Sequence, residues 1–295
     1  MSTAPTPPAD TKVTTQTFRE KKANAEPITM LTAYDYGTAY AIDQVGIDSI
    51  LVGDSLGMVV LGYETTLPVT MEDMLHHCRA VARGAKRALL IGDMPFMSYQ
   101  DSESNAVRNA GRFLQEAGMD AVKLEGGHDR AEAVAAIVSA GIPVVGHLGL
   151  TPQSVHQLGG FRSQGRSATA ALRLLDDARE LQDAGCFALV LESIPSRLGE
   201  LVSHKLEIPT IGIGAGPNCD GQVLVTHDLL GMFDRFTPRF VKQYAQFHQL
   251  MQQAFTSYSE DVQQGRFPAN EHTFSMSDEA WEALSSALEE GTEGA

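Results

Sequence analysis

The chain has 295 residues, of which 43% are hydrophobic and 7% aromatic, and it carries a formal net charge of −15. A chain of this size and hydrophobic content can bury a large core, and it suits one big domain or two smaller ones. The negative charge argues against a nucleic-acid partner, because phosphate binding needs clustered Lys and Arg side chains. The composition therefore favours a globular protein without such a partner.

The cysteines and the hydropathy of the chain are typical of a cytoplasmic protein. Cys78, Cys186 and Cys219 show no Cys-x-x-Cys spacing, and their odd number argues against a disulfide framework. No apolar run is long enough to span a membrane. Residues 1–14 lack the basic and apolar segments of a secretory signal. We therefore predict a cytoplasmic location and a disordered lead over residues 1–14.

Short apolar runs alternate along the chain with longer segments of helical period. Near-continuous Val, Ile and Leu runs are typical of strands buried on both faces, as in a parallel sheet. The predicted strands are 28–33, 49–53, 88–92, 121–125, 143–147, 188–192, 209–214 and 222–225. The predicted helices are 36–45, 70–84, 103–117, 129–139, 168–184 and 196–204. This alternation predicts a (β/α)₈ barrel, and a doubly wound open sheet is the alternative.

The chain beyond the last predicted strand has a different character. Residues 236–265 predict one or two further amphipathic helices, and the polar, acidic end of the chain indicates a short helix near Trp281. We predict three segments: a lead over 1–14, a single barrel with C-terminal helices over 15–267, and an acidic tail over 268–295.

Ionisable side chains stand at the carboxyl ends of five consecutive predicted strands. They are Asp54, Asp93, the pair Lys123 and Glu125, His147, and Glu192. Residues two apart on a strand share a face, so the pair points the same way. An Asp after a strand often caps the next helix, and a lone His is more often structural. However, a barrel brings all these strand ends to one rim, where the active sites of this fold lie. The pattern therefore favours a catalytic pocket.

The types of residue in this set restrict its chemistry. Asp54, Asp93 and Glu125 are hard oxygen donors that suit Mg²⁺. A divalent ion chelated by a 2-oxo acid would stabilise an enolate. Lys123 either adds positive charge at the same oxygens or simply neutralises the acids, and among carboxylates we expect it to stay protonated. Glu192 is then available as the base that removes a carbon-bound proton. The residues alone do not decide which carboxylate is base and which is ligand.

Six segments resemble the ketopantoate hydroxymethyltransferase family. They are VGDSLGM (52–58), GDMPF (92–96), VKLEGG (122–127), GHLGLTPQ (146–153), LE (191–192) and IGIGAG (211–216). The resemblance implies a (β/α)₈ TIM barrel of the phosphoenolpyruvate/pyruvate type. It also implies transfer of a hydroxymethyl group from 5,10-methylenetetrahydrofolate, the co-substrate, to 3-methyl-2-oxobutanoate. The product would be ketopantoate, on the route to pantothenate and coenzyme A.

The resemblance also assigns roles to individual residues. The implied Mg²⁺ ligands are Asp54, Asp93 and Glu125. The implied oxo-acid contacts are Asp54, Ser55, Asp93 and Lys123. The implied catalytic base is Glu192, and the pocket histidine is His147, for which we predict a hydrogen bond to the substrate or a leaving group. The family assembles as a homodecamer of two stacked pentamers, which we adopt as an expectation.

Two other functions stay open at this point. The first is a different Mg²⁺ enzyme on the same barrel, such as a carbon–carbon lyase or aldolase of a small oxo acid, which would need no folate. The second is a non-catalytic barrel that serves as a scaffold or binding protein.

The turn 212–216 lacks the full dinucleotide fingerprint, so it predicts a tight rim turn or a wall of the folate entrance. Arg162 and Arg166 face either the acidic tail of the folate or solvent.

Overall fold

The computed structural model describes residues 11–233 and 235–292. Within these residues, eight parallel strands close into a barrel in which each strand pairs with its sequence neighbour and β8 pairs with β1. The strands are β1 (Ile28–Thr32), β2 (Ser49–Val52), β3 (Leu89–Asp93), β4 (Ala121–Glu125), β5 (Val144–Gly149), β6 (Ala188–Glu192), β7 (Thr210–Ile213) and β8 (Gly221–Leu224). The predicted barrel is therefore confirmed, and the open-sheet alternative is wrong.

One helix precedes β1, helices connect most of the successive strands, and one short helix follows β8. They are α1 (Thr15–Ala23), α2 (Tyr36–Gln44), α3 (Leu56–Val59), α4 (Met71–Gly84), α5 (Glu103–Ala117), α6 (Ala131–Ser139), α7 (Val155–Leu158), α8 (Ala168–Asp183), α9 (Ser196–Lys205) and α10 (Thr226–Leu229). Helix α5 ends where Gly118 takes a φ of 69°, a left-handed conformation that favours glycine. None of the described helices is long and apolar enough to cross a membrane.

The alternation of side chains along the strands gives the protein two apolar layers. On β4, Ala121 packs inside the barrel, whereas Val122 and Leu124 pack outward in the layer that includes the helices. Lys123 and Glu125 alternate with these outward residues, so they share the interior face with Ala121. The strand therefore holds an ammonium group and a carboxylate inside the barrel at its carboxyl end.

Helix α1 and the residues before it cover the amino end of the barrel. Phe18 and Val13 are buried with the interior apolar residues, and the rings of Phe18 and Phe187 lie 5.9 Å apart. The Val13 N–H donates to the carbonyl oxygen of Arg87 at 2.8 Å. Lys12 adds an ion pair with Asp120 at 2.7 Å, so residues 12 and 13 contact the barrel. The predicted disordered lead over 1–14 stays a prediction. Residues 1–10 lie outside the described residues.

The chain divides into two compact units, residues 1–245 and 246–295. The first unit contains the barrel. The second contains α11 (Phe247–Gln263) and α12 (Asp278–Thr292), which confirm helices within 236–265 and near Trp281. The predicted barrel boundary at residue 267 stays a prediction.

Candidate active site

One cavity of about 330 Å³ lies at the carboxyl ends of the barrel strands. Its lining includes every predicted site residue, namely Asp54, Ser55, Asp93, Lys123, Glu125, His147 and Glu192. The strand register pairs Asp93 with Lys123, and Glu125 with His147, on neighbouring strands. The closed barrel thus gathers at one place side chains that are far apart in the sequence.

Lys123 is a buried cation in contact with two other site residues. Its Nζ lies 2.7 Å from Oδ1 of Asp93 and 3.3 Å from Nδ1 of His147. Burial acts to lower the pKa of Lys123, but the charges of Asp93, Glu125 and Asp54 outweigh it and raise that pKa above its ordinary value. Lys123 therefore stays protonated, which suits a role as a fixed positive charge.

Asp54 and Asp93 are buried carboxylates that repel each other. Burial, and then the charges of Asp93 and Glu125, raises the pKa of Asp54 well above its ordinary value. Burial also raises the pKa of Asp93, although Lys123 opposes this shift. The backbone N–H of Asp54 donates to Oδ2 of Asp93 at 3.0 Å. A second positive charge at this place would relieve the repulsion.

His147 lies between two glutamates. Its Nδ1 is 3.4 Å from Oε1 of Glu125, and its Nε2 is 3.2 Å from Oε2 of Glu192. Burial and the charge of Lys123 act to lower the pKa of His147, but the two glutamates outweigh them and raise it to about 9. Burial acts to raise the pKa of Glu125, but His147, Lys123 and a backbone donor together lower it. At neutral pH, His147 is therefore an imidazolium paired with both glutamates.

The two glutamates beside His147 differ in their access to the cavity. The side chain of Glu192 is 16% exposed, whereas that of Glu125 is only 3% exposed. A base must reach the proton that it removes, so Glu192 is better placed for proton transfer. Glu125 is better placed as a fixed negative charge.

Gln153 links two of the carboxylates, a role that no sequence pattern predicted. Its Nε2 donates to Oδ2 of Asp54 at 3.0 Å and to the carbonyl oxygen of Met94 at 2.9 Å. Its backbone N–H donates to Oε2 of Glu125 at 3.0 Å, and its Oε1 accepts from the Tyr99 hydroxyl at 2.7 Å. Gln153 is buried, so these bonds fix the positions of both carboxylates.

The chemistry of these residues fits Mg²⁺. In the described parts of the chain, no three His, Cys, Asp or Glu side chains are already arranged as a metal site. However, Oε1 of Glu125 is buried and has only the ion pair with His147, which lacks hydrogen-bond geometry, and Asp54 and Asp93 lie close enough to raise the pKa of Asp54. Mg²⁺ binds through one or two carboxylates and takes its remaining oxygens from water and substrate. The set is therefore suited to hold Mg²⁺ together with an oxo acid.

Two further residues border this site without a predicted role. The hydroxyl of Tyr34 lies 2.8 Å from Oγ of Ser55, which fixes the serine. Asp228 lines the cavity from α10, just after β8. The rule that points to the other acids, an ionisable residue after a strand, also applies to Asp228 and could have found it.

The sequence profile of the family described as ketopantoate hydroxymethyltransferase matches residues 12–270. The chain belongs to this family. The 3-methyl-2-oxobutanoate hydroxymethyltransferase of Syntrophus aciditrophicus is 59% identical over 263 residues, which cover 89% of this chain and 97% of the relative. That of Enterococcus faecalis is 56% identical over 92% of this chain and 99% of the relative. All the site residues of this ketopantoate hydroxymethyltransferase family member lie within the matched region.

Solved structures share the barrel of this family member. Phosphonopyruvate hydrolase superposes with a TM-score of 0.59 at 13% identity, over 96% of this chain and 98% of its own. 2,3-Dimethylmalate lyase, a PEP mutase/isocitrate lyase superfamily member, gives 0.55 at 13% identity, over 92% and 98%. A second phosphonopyruvate hydrolase structure holds oxalate and Mg²⁺. These likenesses establish the fold alone, an eight-stranded parallel barrel with helices around it.

Proposed function

We propose that this chain transfers a hydroxymethyl group from 5,10-methylenetetrahydrofolate to 3-methyl-2-oxobutanoate and forms ketopantoate for pantothenate synthesis. The main support is that Lys123 is buried among carboxylates in the same cavity wall as the more exposed Glu192. This arrangement provides a fixed positive charge and a base in one pocket. The names of the relatives supply the acceptor and the transferred group.

Glu192 acts as the base that removes the C3 proton of the oxo acid. Its carboxylate reaches the cavity, and its contact with the imidazolium of His147 holds it in place. When Glu192 takes up the proton, negative charge develops on the keto oxygen of the substrate as an enolate. A positioned carboxylate of this kind contributes typically about 10²–10⁴-fold to a rate.

Lys123 stabilises the charge of the enolate. Its ammonium group is fixed by Asp93 and buried, so it acts in a region of low dielectric and needs little reorganisation. Asp54, Asp93 and Glu125 would hold Mg²⁺, which supplies further positive charge at the carboxylate and keto oxygens of the oxo acid. In support, phosphonopyruvate hydrolase, which shares this fold, holds Mg²⁺ together with oxalate. The hydroxyl of Ser55 is available to the substrate carboxylate from the cavity wall.

The transfer step balances with water as the remaining reactant. A bond forms between C3 of the enolate and the methylene carbon of the folate. Both bonds from that carbon to the folate nitrogens break, and water supplies the hydroxyl of the product. The proton taken by Glu192 and the second proton of water end on the two nitrogens, so that tetrahydrofolate leaves.

Isotope labelling tests the proposed reaction. With Mg²⁺, 3-methyl-2-oxobutanoate and folate labelled with ¹³C at the methylene carbon, mass spectrometry should detect ketopantoate that carries one ¹³C. The product should be absent when the folate is omitted. Cleavage of the oxo acid without folate, and no labelled product with it, would favour the lyase or aldolase instead.

Gln153 gives a prediction about metal binding. Gln153→Leu keeps the volume and the backbone N–H but removes the amide that holds Asp54 and accepts from Tyr99. Loss of such a partner typically weakens metal binding about 10–100-fold, and we expect a decrease of this order in Mg²⁺ affinity. Calorimetric titration of Mg²⁺ in the presence of oxo acid measures it. Gln157→Leu, at an exposed position, is the control and should keep the wild-type Mg²⁺ affinity. A wild-type Mg²⁺ affinity in Gln153→Leu would contradict the role of Gln153 in holding Asp54.

We also infer a homodecamer of two stacked pentamers and a cytoplasmic location. The family resemblance supports the assembly. The cysteines support the compartment, since Cys78, Cys186 and Cys219 are free thiols.

A further inference from the structure

Asp228 is a largely buried carboxylate at the cavity, and its side chain has no hydrogen-bond partner among the residues that the structure describes. Its side chain lines the cavity, and the residue is 9% exposed. Among the described residues, no hydrogen-bond donor contacts its carboxylate, and burial raises its pKa to about 6. Burying a carboxylate without a donor is unfavourable. A ligand that brings hydrogen-bond donors would therefore gain affinity at this place.

The negative charge of Asp228 disfavours the oxo acid as that ligand. The oxo acid is an anion, and Lys123 and the metal site provide the positive charge that it needs. Asp228 makes no ion pair or hydrogen bond with Lys123 in the structure. The part of a ligand that lies against Asp228 must therefore be neutral or cationic, with N–H groups pointing at the carboxylate.

Aromatic side chains surround the mouth of the same cavity. Phe161, Phe236 and Phe240 line it, and Phe236 is 67% exposed. Phe240 packs against Gly214, where an added Cβ would lie only 2.6 Å from the ring. The glycine turn 212–216 thus allows Phe240 to approach the strand ends. Exposed rings beside a cavity favour a flat aromatic ligand, which can stack on them.

Arg239 adds a positive charge to this rim. It lines the cavity next to Phe240 and is exposed. Arg162 and Arg166, the other candidates for contact with an anionic tail, are exposed and do not line the cavity. This side of the cavity therefore offers the carboxylate of Asp228 as an acceptor, the flat faces of the phenylalanine rings, and the charge of Arg239 at the rim.

We propose that Asp228, Phe236, Phe240 and Arg239 form the binding subsite for the folate co-substrate. The 2-amino group and N3–H of a pterin are two parallel donors that match the two oxygens of a carboxylate. Asp228 accepts both, the phenylalanines stack on the pterin and the adjoining ring, and Arg239 faces the glutamate tail. This inference rests on the proposed function, because the folate is its co-substrate.

Binding of tetrahydrofolate to wild-type protein and Asp228→Asn tests the subsite. Asn has the same shape but replaces one acceptor oxygen with a donor, so we expect the Kd for tetrahydrofolate to rise about 10–100-fold. Asp183→Asn, at an exposed position in α8, is the control for loss of a negative charge. Calorimetry gives the Kd, and thermal unfolding checks that the variant is folded.

A folate analogue makes the test specific to the pterin edge. An analogue with methyl in place of the 2-amino group should bind wild-type protein more weakly than tetrahydrofolate does. For Asp228→Asn, the difference in affinity between the two ligands should be much smaller. Wild-type protein should prefer tetrahydrofolate over tetrahydropteroate, which lacks the glutamate. Arg239→Gln should lose this preference, and the control Arg235→Gln should keep it.

The possible outcomes separate the subsite from the reaction. Wild-type protein that makes no ketopantoate from folate would overturn the proposed function. Wild-type protein that makes ketopantoate, with Asp228→Asn binding tetrahydrofolate as tightly as wild type, would overturn the subsite alone. Equal discrimination against the analogue by both proteins would also overturn it.

Discussion

Glu192→Gln should lower kcat for ketopantoate formation by about 10²–10⁴-fold. The amide has the same size as the carboxylate, but it cannot take up the C3 proton. Lys123, and not Glu192, supplies the positive charge for the oxo acid, so the KM for this substrate should change much less than kcat. Steady-state kinetics with both substrates varied measures the two effects.

The control for this substitution is Glu207→Gln. Glu207 is exposed, lies outside the cavity, and loses the same charge. It should keep wild-type kcat. A Glu192→Gln protein with kcat close to wild type would remove Glu192 from the role of base, and Glu125 or a water molecule would have to replace it.

Lys123→Met should lower the free energy of unfolding in the absence of metal by about 3–5 kcal/mol, the range for removing one partner of a buried ion pair. Lys123 contacts Asp93 at 2.7 Å, and its charge also favours the ionised forms of Asp54 and Glu125. Methionine fills a similar volume but leaves these carboxylates without that neutralising charge. Urea unfolding with EDTA measures the loss.

Mg²⁺ provides a second measurement on the same variant. If the carboxylates hold the ion, saturating Mg²⁺ should restore part of the lost unfolding free energy, since the ion replaces some of the missing charge. Turnover should stay low, because the positive charge of Lys123 at the enolate is gone. Lys86→Met, at an exposed position, is the control. An unfolding free energy equal to wild type would contradict the account of Lys123.

Most of the fold could be predicted from the sequence because its signals are local. Strands buried on both faces appear as continuous apolar runs, and glycines such as Gly118 mark where helices end. Helix α1 could not be predicted in this way, since Phe18 is its only buried residue and its contact with Phe187 depends on the closed barrel.

The candidate site could be predicted in part for a related reason. A closed parallel barrel brings all strand ends to one rim, so acids such as Asp93 and Glu192 could be found from their places after strands. Gln153 could not, because its role depends on four partners from other loops and strands. The difference in exposure between the two glutamates also arises only in the folded chain. The sequence does not show that Glu192 is more exposed than Glu125.

Removal of the C3 proton is the central claim of this account, and hydrogen exchange tests it most directly. NMR can follow 3-methyl-2-oxobutanoate deuterated at C3 in ordinary water with the protein and Mg²⁺, first without folate and then with it. We predict loss of deuterium that requires Mg²⁺ and Glu192, followed by ketopantoate once 5,10-methylenetetrahydrofolate is added. Retention of deuterium by folded protein with Mg²⁺, both without and with folate, would contradict the account.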